Sequence, residues 1–143
     1  NDNYDALNSH FLPALIKKAH DLKLNNKKEL ILWGNGLAKR EVIYVDDIAD
    51  ACIFFMKKNF FGTILNIGTG KDFLIKQYAK IILNKIIPKN KIKIKYDLSK
   101  PNGTPRKVLD IKLANKYGWK PKTKLDEAIT KTYKNFLENN KIV

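Results

Sequence analysis

Residues 33–50, with the sequence WGNGLAKREVIYVDDIAD, decide how the rest of this chain is organised. The stretch begins with an aromatic residue and a glycine turn, continues through Arg40 into an apolar strand pattern, and ends in a helix that starts with two aspartates. An indole ring can stack on a planar group while a nearby guanidinium binds a phosphate. This arrangement predicts a binding site, and the flanking elements are interpreted around it.

Length and composition favour one domain, or a large part of one. The chain has 143 residues, of which 44% are hydrophobic, and this is enough for one core. No methionine precedes Met56, so we expect the chain to be a fragment of a longer protein. No apolar run approaches the roughly 18 residues of a membrane span, and no leader pattern opens the chain. These features predict a soluble, cytoplasmic protein without a membrane partner.

The net charge of +14 is compatible with a nucleic-acid-binding module, because clustered cations release counterions from a phosphate backbone. However, Arg40 and Arg106 are the only arginines, and the lysines are spread over every segment. Within residues 89–95 the lysines alternate with isoleucine, as on the outer face of a strand. We therefore prefer a solvated basic face that attracts an anionic small molecule, with nucleic-acid binding as the alternative.

The segment before the central stretch predicts a helix. Ser9 can cap it, Pro13 fits within its first turn, and the apolar pattern continues to about Leu24. His10 lies at the opening turn and Lys18 two turns further on, so both fall on roughly one helix face. From spacing alone, a solvated or capping histidine is the ordinary interpretation of His10.

The segments after the helix predict an α/β pattern. Strands are predicted at residues 30–33, 41–45, 63–67 and 91–96, and helices at residues 46–56, 74–87, 110–118 and 125–137. This alternation favours parallel pairing in a small sheet with helices packed across it. Asp46 and Asp47 are explained as carboxylates at the positive end of their helix. Cys52 has apolar neighbours and is predicted to be a packed structural residue.

Two short motifs are typical of dinucleotide-dependent enzymes, but both are incomplete. Gly-Thr-Gly at residues 68–70 lacks the third glycine of G-x-G-x-x-G, because Phe73 stands in its place. This turn is predicted to close near a ligand without forming the main cofactor cradle. Tyr96 and Lys100 have the Y-x-x-x-K spacing, but Pro101 disfavours a helix there, so we interpret the spacing as chance.

Five segments taken together resemble the C-terminal portion of the GDP-L-fucose synthase family, within the extended short-chain dehydrogenase/reductase superfamily. They are NSHFLPALIKK (8–18), LWGNG with KRE (32–41), VDDIADA (45–51), NIGTG (66–70) and SKPNGTPRK (99–107). The resemblance implies an α/β fold in which residues 1–143 form the C-terminal substrate-binding domain, a small sheet with packed helices. It also implies that the N-terminal Rossmann part is absent here.

The same resemblance implies an NADPH-dependent enzyme that makes GDP-L-fucose from GDP-4-keto-6-deoxy-D-mannose by 3,5-epimerisation and 4-reduction. It gives His10 the role of an acid next to the cofactor, and makes Lys18, Trp33, Arg40 and Asn102 contacts of the GDP-sugar. It implies no metal site. The absent N-terminal part would bind most of the NADPH, so we expect the fragment to be inactive alone and the full-length protein to be a homodimer.

One position departs from the family pattern, which usually has aspartate where this chain has Asn102. If that carboxylate receives guanine N–H groups, an amide weakens the pairing by about 1–3 kcal/mol. A reductase or epimerase of another NDP-sugar, such as a GDP-6-deoxy-heptose, is therefore the alternative enzyme. A basic nucleic-acid-binding module is the alternative from another class.

Overall fold

The computed structural model describes residues 3–4, 9–58, 60, 62, 64–88 and 91–139. The elements in chain order are α1 (Phe11–Leu24), β1 (Glu29–Trp33), β2 (Lys39–Glu41), α2 (Val45–Lys57), β3 (Asp72–Leu74), α3 (Ile75–Ile86), β4 (Lys93–Asp97), β5 (Arg106–Lys107), α4 (Lys112–Lys116) and α5 (Leu125–Asn139). Across these ranges, no helix is both long and apolar enough to cross a membrane. The predicted α/β class is confirmed.

The strands form two small sheets. β1 and β4 pair in parallel, with Glu29 opposite Lys93 and Trp33 opposite Asp97. In the second sheet β2 lies between β3 and β5, antiparallel to β3 and parallel to β5. The prediction of one small parallel sheet is therefore right for β1 and β4 and wrong for the second sheet. Strands of two or three residues are too short to produce a period-two pattern in the sequence.

The first hydrophobic core packs α1, α3 and α5 against the parallel pair of strands. β1 buries Leu30 and Leu32, while Trp33 and the other alternate residues are exposed, as expected of a strand covered on one face. The buried members of the first core are Leu15, Ile16, Ala19, Leu22, Leu30, Leu32, Tyr78, Ala79, Ile82, Leu83, Ile86, Ile87, Ile129 and Phe136. Burying each large aliphatic side chain contributes about 1.5–3 kcal/mol.

The second core joins α2 to α4 and to the segment after α4. Ala51 and Phe55 of α2 are buried against Ala114 and Trp119. Tyr117 contacts the Phe55 ring edge-on, with ring centroids 6.3 Å apart. The Trp119 indole nitrogen donates to the Asp50 carboxylate at 3.2 Å, so the polar edge of this ring is also satisfied. α2 is thus anchored on one side.

Two predicted strands are wrong, for a common reason. Residues 42–44 lie outside β2, because Val42 packs against the first core and Ile43 against the second. Residues 64–67 form no strand, although Leu65 and Ile67 pack against the second core. In both segments apolar residues alternate because the chain runs along or between cores, and not because it forms a sheet ladder.

Two interpretations of single residues are also wrong. The N-cap of α1 is His10, whose backbone is extended, and Ser9 does not cap the helix. The Ser9 hydroxyl is instead buried without a hydrogen-bond partner in the described part of the chain. Cys52, which we predicted to be packed, is exposed. It lies outside the face of α2 that Ala51 and Phe55 bury in the second core.

Asp47 connects the start of α2 to the segment before α5. Its side chain is buried, with a relative exposure of 5%. The carboxylate accepts hydrogen bonds from the backbone N–H groups of Lys122 (3.3 Å) and Thr123 (3.0 Å), and from the Thr123 hydroxyl (3.1 Å). Capping therefore does not explain this residue, whose partners are 75 and 76 positions away. Its exposed neighbour Asp46 remains compatible with a favourable charge at the helix start.

Replacing Asp47 with alanine is expected to lower the free energy of unfolding by about 2–3 kcal/mol, because three donors lose a buried acceptor. Chemical denaturation followed by circular dichroism measures this change. Asp46→Ala is the matched control, and it should change the value by less than about 0.5 kcal/mol. Equal effects of the two substitutions would contradict the bridging role.

Candidate functional site

Trp33 ends β1 and presents an open aromatic surface, since 52% of the residue is exposed. The ammonium groups of Lys18 and Lys100 each lie 5.5 Å from the centre of its ring system. Lys18 Nζ also donates to the carbonyl oxygen of Ile31 at 3.2 Å, which fixes its position next to β1. An exposed indole beside two cations can stack on a planar base while the cations attract a phosphate.

Lys18 is held in a partly desolvated position. Burial lowers the pKa of its ammonium group from the ordinary value, because removal from water disfavours the charged form. A desolvated cation interacts more strongly with an anion than an exposed one does. Lys18 is therefore better suited to recognise an anionic ligand than the many exposed lysines of this chain.

Asn102 is hydrogen-bonded to the glycine turn that follows Trp33. Its Oδ1 accepts a hydrogen bond from the backbone N–H of Asn35 at 2.7 Å. Gly34 has a positive φ of 66°, and a Cβ added there would come within 2.5 Å of the same oxygen. The turn therefore requires glycine both for its conformation and for the close approach of the loop carrying Asn102.

Arg40 lies on β2 and reaches the same loop. Its Nη1 donates to the carbonyl oxygens of Thr104 (2.6 Å) and Lys39 (2.7 Å). Within the described residues, Nε and Nη2 of Arg40 have no hydrogen-bond partner, so one edge of the guanidinium remains able to bind an anion. The buried Tyr78 hydroxyl donates to the Arg40 backbone carbonyl at 2.8 Å and holds the strand in place.

The structure thus brings four of the five predicted site residues to one surface. Lys18 and Trp33 are in contact. Asn102 bonds to the glycine turn, and Arg40 bonds to Thr104 of the loop that carries Asn102. His10 is exposed at the start of α1, about 12 Å along the helix axis from Lys18. No contact among the described residues joins it to the other four, and its role remains a prediction.

A cleft of the described chain lies elsewhere. It has a volume of about 940 Å³ and is bordered mainly by residues 42–46, 121–125 and the first half of α5. None of His10, Lys18, Trp33, Arg40 and Asn102 lines it. The predicted site is therefore an open surface defined by its contacts, and this cleft is a separate feature.

Glu41 is a supporting residue that the sequence interpretation missed. Its Oε1 accepts from the backbone N–H groups of Thr69 and Gly70 and from the Thr69 hydroxyl. Its Oε2 accepts from the backbone N–H of Leu109 at 2.7 Å. A Cβ added to Gly68 would lie 2.5 Å from Oε1, so that glycine is needed for the approach of the carboxylate. The Gly-Thr-Gly turn at residues 68–70 was the sequence feature that could have indicated a side chain packed closely against it.

The same contacts test whether the Gly-Thr-Gly turn fits a dinucleotide. Phosphate cradles need free backbone N–H groups in a positive field. Here the N–H groups of Thr69 and Gly70 already donate to the negative Glu41 side chain, which would repel a pyrophosphate. The residues present at this turn therefore do not fit a cofactor cradle. In the described ranges, no cluster of His, Cys, Asp or Glu suits a metal ion either.

Two basic residues near the site differ in whether they are available to bind an anion. Lys100, whose spacing from Tyr96 we interpreted as chance, lies in the turn after β4 and contacts Trp33. Arg106, which we expected near an anion, forms an ion pair with the Asp72 carboxylate, and this pairing lowers the pKa of Asp72. Lys100 is therefore the additional cation of this surface.

Comparisons with known proteins agree with the fold. Residues 1–68 match the NAD dependent epimerase/dehydratase family. The chain is 41% identical over 139 residues to the putative GDP-L-fucose synthase 2 of Arabidopsis thaliana, covering 97% of this chain and 42% of that protein. It is 40% identical over 138 residues to the GDP-L-colitose synthase of Yersinia pseudotuberculosis, covering 95% of this chain and 44% of that protein.

A solved structure extends the comparison. The GDP-6-OMe-4-keto-L-xylo-heptose reductase from C. jejuni is 29% identical, with a TM-score of 0.81, covering 96% of this chain and 50% of that one. The fold and these matches define the class, which is that of NAD-dependent epimerases and dehydratases of the extended short-chain dehydrogenase type. Within it, the chain is homologous to the C-terminal part of GDP-L-fucose synthases, and the predicted resemblance is confirmed. It spans less than half the length of these relatives.

Glu41→Gln is expected to lower the free energy of unfolding by about 3 kcal/mol, because an amide has only one oxygen for four donors and directs N–H groups at some of them. Urea denaturation measures the change. Glu29→Gln is the control, since Glu29 forms an exposed ion pair with Lys95. It should have an effect of less than about 1 kcal/mol. A neutral Glu41→Gln would contradict the supporting role.

Tyr78→Phe tests the bond that holds Arg40. Burial, with the nearby carboxylates of Asp72 and Glu41, raises the pKa of Tyr78 to about 12. Because the pKa of Tyr78 is higher in the folded protein than in the unfolded chain, its protonated hydroxyl stabilises the fold. This stabilisation is complete below the ordinary tyrosine pKa of 10.0 and is lost as the pH rises towards 12. The free energy of unfolding of the wild type should therefore be about 1 kcal/mol higher than that of Tyr78→Phe at neutral pH, and this difference should disappear in alkali.

Denaturation at a series of pH values from neutral to alkaline measures the difference between the two proteins. Tyr117→Phe is the control, because its side chain is partly exposed, and a change that appears in both variants would be a general effect of alkali. A difference between wild type and Tyr78→Phe that is constant with pH would show that this hydroxyl titrates normally in the fold.

Proposed function

We propose that this chain is the substrate-binding portion of an NADPH-dependent GDP-4-keto-6-deoxy-D-mannose 3,5-epimerase/4-reductase, which makes GDP-L-fucose. The observation that carries the proposal is the shared surface of Lys18, Trp33, Arg40 and Asn102. The aromatic face and the amide suit the base of a nucleotide sugar. The lysine and arginine cations suit its diphosphate. The homology to GDP-L-fucose synthases supports the choice of GDP.

Each side chain has a specific binding role in this proposal. The exposed Trp33 ring stacks on guanine or ribose, and the free edge of the Arg40 guanidinium forms a bidentate contact with the diphosphate. The Lys18 ammonium, 5.5 Å from the centre of the same ring, adds a point charge. Lys100, through its contact with the same ring, places a further positive charge next to the base.

Asn102 affects which ligand is preferred. Its Oδ1 already accepts the Asn35 N–H, so the amide nitrogen is the group left to face a ligand. Guanine presents N–H donors on its pairing edge, and a carboxylate would offer them a second oxygen that this amide does not have. The second candidate function is therefore a reductase or epimerase of another NDP-sugar. A GDP-heptose, with the 6-deoxy form as one example, is favoured by the C. jejuni structure, whose printed substrate is a GDP-heptose.

His10 is proposed to act as the acid of the epimerisation. Protons next to the keto group are acidified by the carbonyl, and an imidazole, which titrates near neutrality, can return one to the opposite face. NADPH, which the N-terminal part would bind, would supply the hydride that reduces the C4 keto group. Since the turn at residues 68–70 does not fit that cofactor, we expect this chain alone to bind substrate without turnover. We place the enzyme in the cytoplasm, as a homodimer when full-length.

Calorimetric titration with GDP tests the proposal. We expect saturable binding that Arg40→Ala weakens about tenfold or more, because a charge-assisted bidentate contact with the diphosphate is lost. Lys39→Ala is the matched control, since Lys39 is the exposed neighbour on the same strand and should leave the affinity unchanged. Equal losses in the two variants would contradict the role of Arg40.

Titration with a DNA duplex over a range of salt concentrations tests the alternative class. Steeply salt-dependent duplex binding, together with no saturable binding of GDP, would favour the nucleic-acid-binding module and overturn the proposal. Incubation with NADPH and the keto-sugar nucleotide completes the test. Turnover by this chain alone would show that the assignment to a binding portion is wrong.

A further inference from the structure

Two asparagine side chains lie at the glycine turn after Trp33, and each has its amide oxygen occupied. Asn102 Oδ1 accepts the backbone N–H of Asn35 at 2.7 Å. Asn35 Oδ1 accepts the backbone N–H of Leu37 at 2.9 Å. A backbone N–H can only donate, so the bonds also fix which end of each amide is the oxygen. Within the described residues neither amide nitrogen has a partner, and each therefore keeps two N–H donors for a ligand.

The acceptors around this turn are already used by the fold. The backbone carbonyl oxygens of Gly36 and Ala38 accept N–H groups from the first turn of α3, at 3.1 and 2.9 Å. On β4, Asp97 stands opposite Trp33. The Oδ1 atom of Asp97 accepts both the backbone N–H and the hydroxyl of Ser99, so this carboxylate belongs to the turn at residues 97–99.

The groups left to a ligand beside the indole are therefore donors. The ammonium groups of Lys18 and Lys100 each lie 5.5 Å from the centre of the Trp33 ring system, and they suit the negative charge of a diphosphate. The two amide nitrogens are neutral, and Asn35 is only two positions from Trp33 in the chain. A neutral donor next to a stacking ring suits a neutral acceptor on the stacked base.

We infer that Asn35 is a specificity-determining residue, which together with Asn102 donates to the O6 and N7 acceptors of a 6-oxopurine base stacked on Trp33. Guanine presents O6 and N7 as acceptors on this edge, whereas adenine presents N7 and an amino group. An asparagine with both ends free pairs with adenine by accepting from its amino group and donating to N7. Here the oxygens are occupied, so adenine would set its amino group against amide donors.

The inference rests on the proposed function and deepens it, because it names the chemical group by which the base is chosen. It also has a consequence for guanine itself. The 2-amino group lies on the other side of the purine from N7, so it makes no contact with donors that bind O6 and N7. Hypoxanthine, which has the same O6 and N7 but no 2-amino group, should therefore be accepted as well as guanine is.

Calorimetric titration of this chain with GDP, inosine diphosphate and ADP tests the inference. The three ligands share their ribose and diphosphate, so the contacts of the cations cancel when affinities are compared. We expect GDP and inosine diphosphate to bind within about threefold of each other. ADP should bind about tenfold more weakly or worse, because its amino group leaves donors facing a donor.

Asn35→Asp assigns the preference to this side chain. The variant keeps an oxygen for the Leu37 N–H and replaces the amide donor with a second oxygen. The added negative charge weakens all three ligands alike, so the ratio of GDP to ADP affinity is the readout, and we expect it to fall about fivefold or more. Asn102→Asp, which likewise keeps its bond to Asn35, should change the ratio in the same direction.

Asn25→Asp is the matched control, because Asn25 is an exposed asparagine at the end of α1 whose amide bonds to the Asp21 carbonyl oxygen. It should leave the ratio of GDP to ADP affinity unchanged. Circular dichroism verifies that each variant is folded, and the comparison of the three ligands on the wild type needs no variant.

Three results would overturn the inference. They are GDP binding about tenfold tighter than inosine diphosphate, ADP binding as tightly as GDP, and an unchanged ratio of GDP to ADP affinity in both site variants. Each of them leaves the proposed function standing as long as Arg40→Ala still weakens GDP binding. If none of the three nucleotides binds saturably, the proposed function is wrong and this inference is wrong with it.

Discussion

The carboxylate of Glu41 is the interaction on which the candidate site depends most. It accepts four hydrogen bonds from two segments that are distant in sequence, at Thr69–Gly70 and Leu109. These contacts hold β2 next to β3 on one side and near the exit from β5 on the other. Hydrogen bonds to a charged acceptor are stronger than those to a neutral one, so this cluster gives a three-residue strand a fixed position. The position of Arg40, the residue before Glu41, is therefore fixed by that strand.

The site itself follows from how one connection joins the two sheets. β4 pairs with β1 in the first sheet, and β5 pairs with β2 in the second. The eight residues between β4 and β5 therefore run from the end of β1, where Trp33 lies, to β2, where Arg40 lies. Asn102 is within this connection and bonds to the turn after Trp33. The turn after Trp33 and the side chain of Arg40 thus both contact a connection that lies more than 60 positions further along the chain.

Much of the fold and site was predictable from the sequence, and the failures have physical causes. α2, α3 and α5 have long periodic patterns, and β1 and β4 have clear alternation, so their positions were predicted closely. Residues 42–44 alternate because they lie between two cores, which a local pattern cannot distinguish from a strand. Asp47 was misinterpreted because its partners are more than 70 positions away. The candidate site residues were predicted from motifs, whereas the contact of Lys100 with Trp33 needed coordinates.

The distribution of charge explains how a lysine-rich chain can still be selective. Most lysines are exposed and give a diffuse positive field, which attracts any polyanion. Of the two arginines, Arg106 is neutralised by Asp72, and Arg40 keeps a free edge at the site. Lys18 is desolvated beside an indole, so its charge is costly until an anion arrives and offsets that cost. In the proposed function, selectivity for a nucleotide sugar would therefore depend on these few constrained groups, while the remaining lysines would increase the rate of encounter.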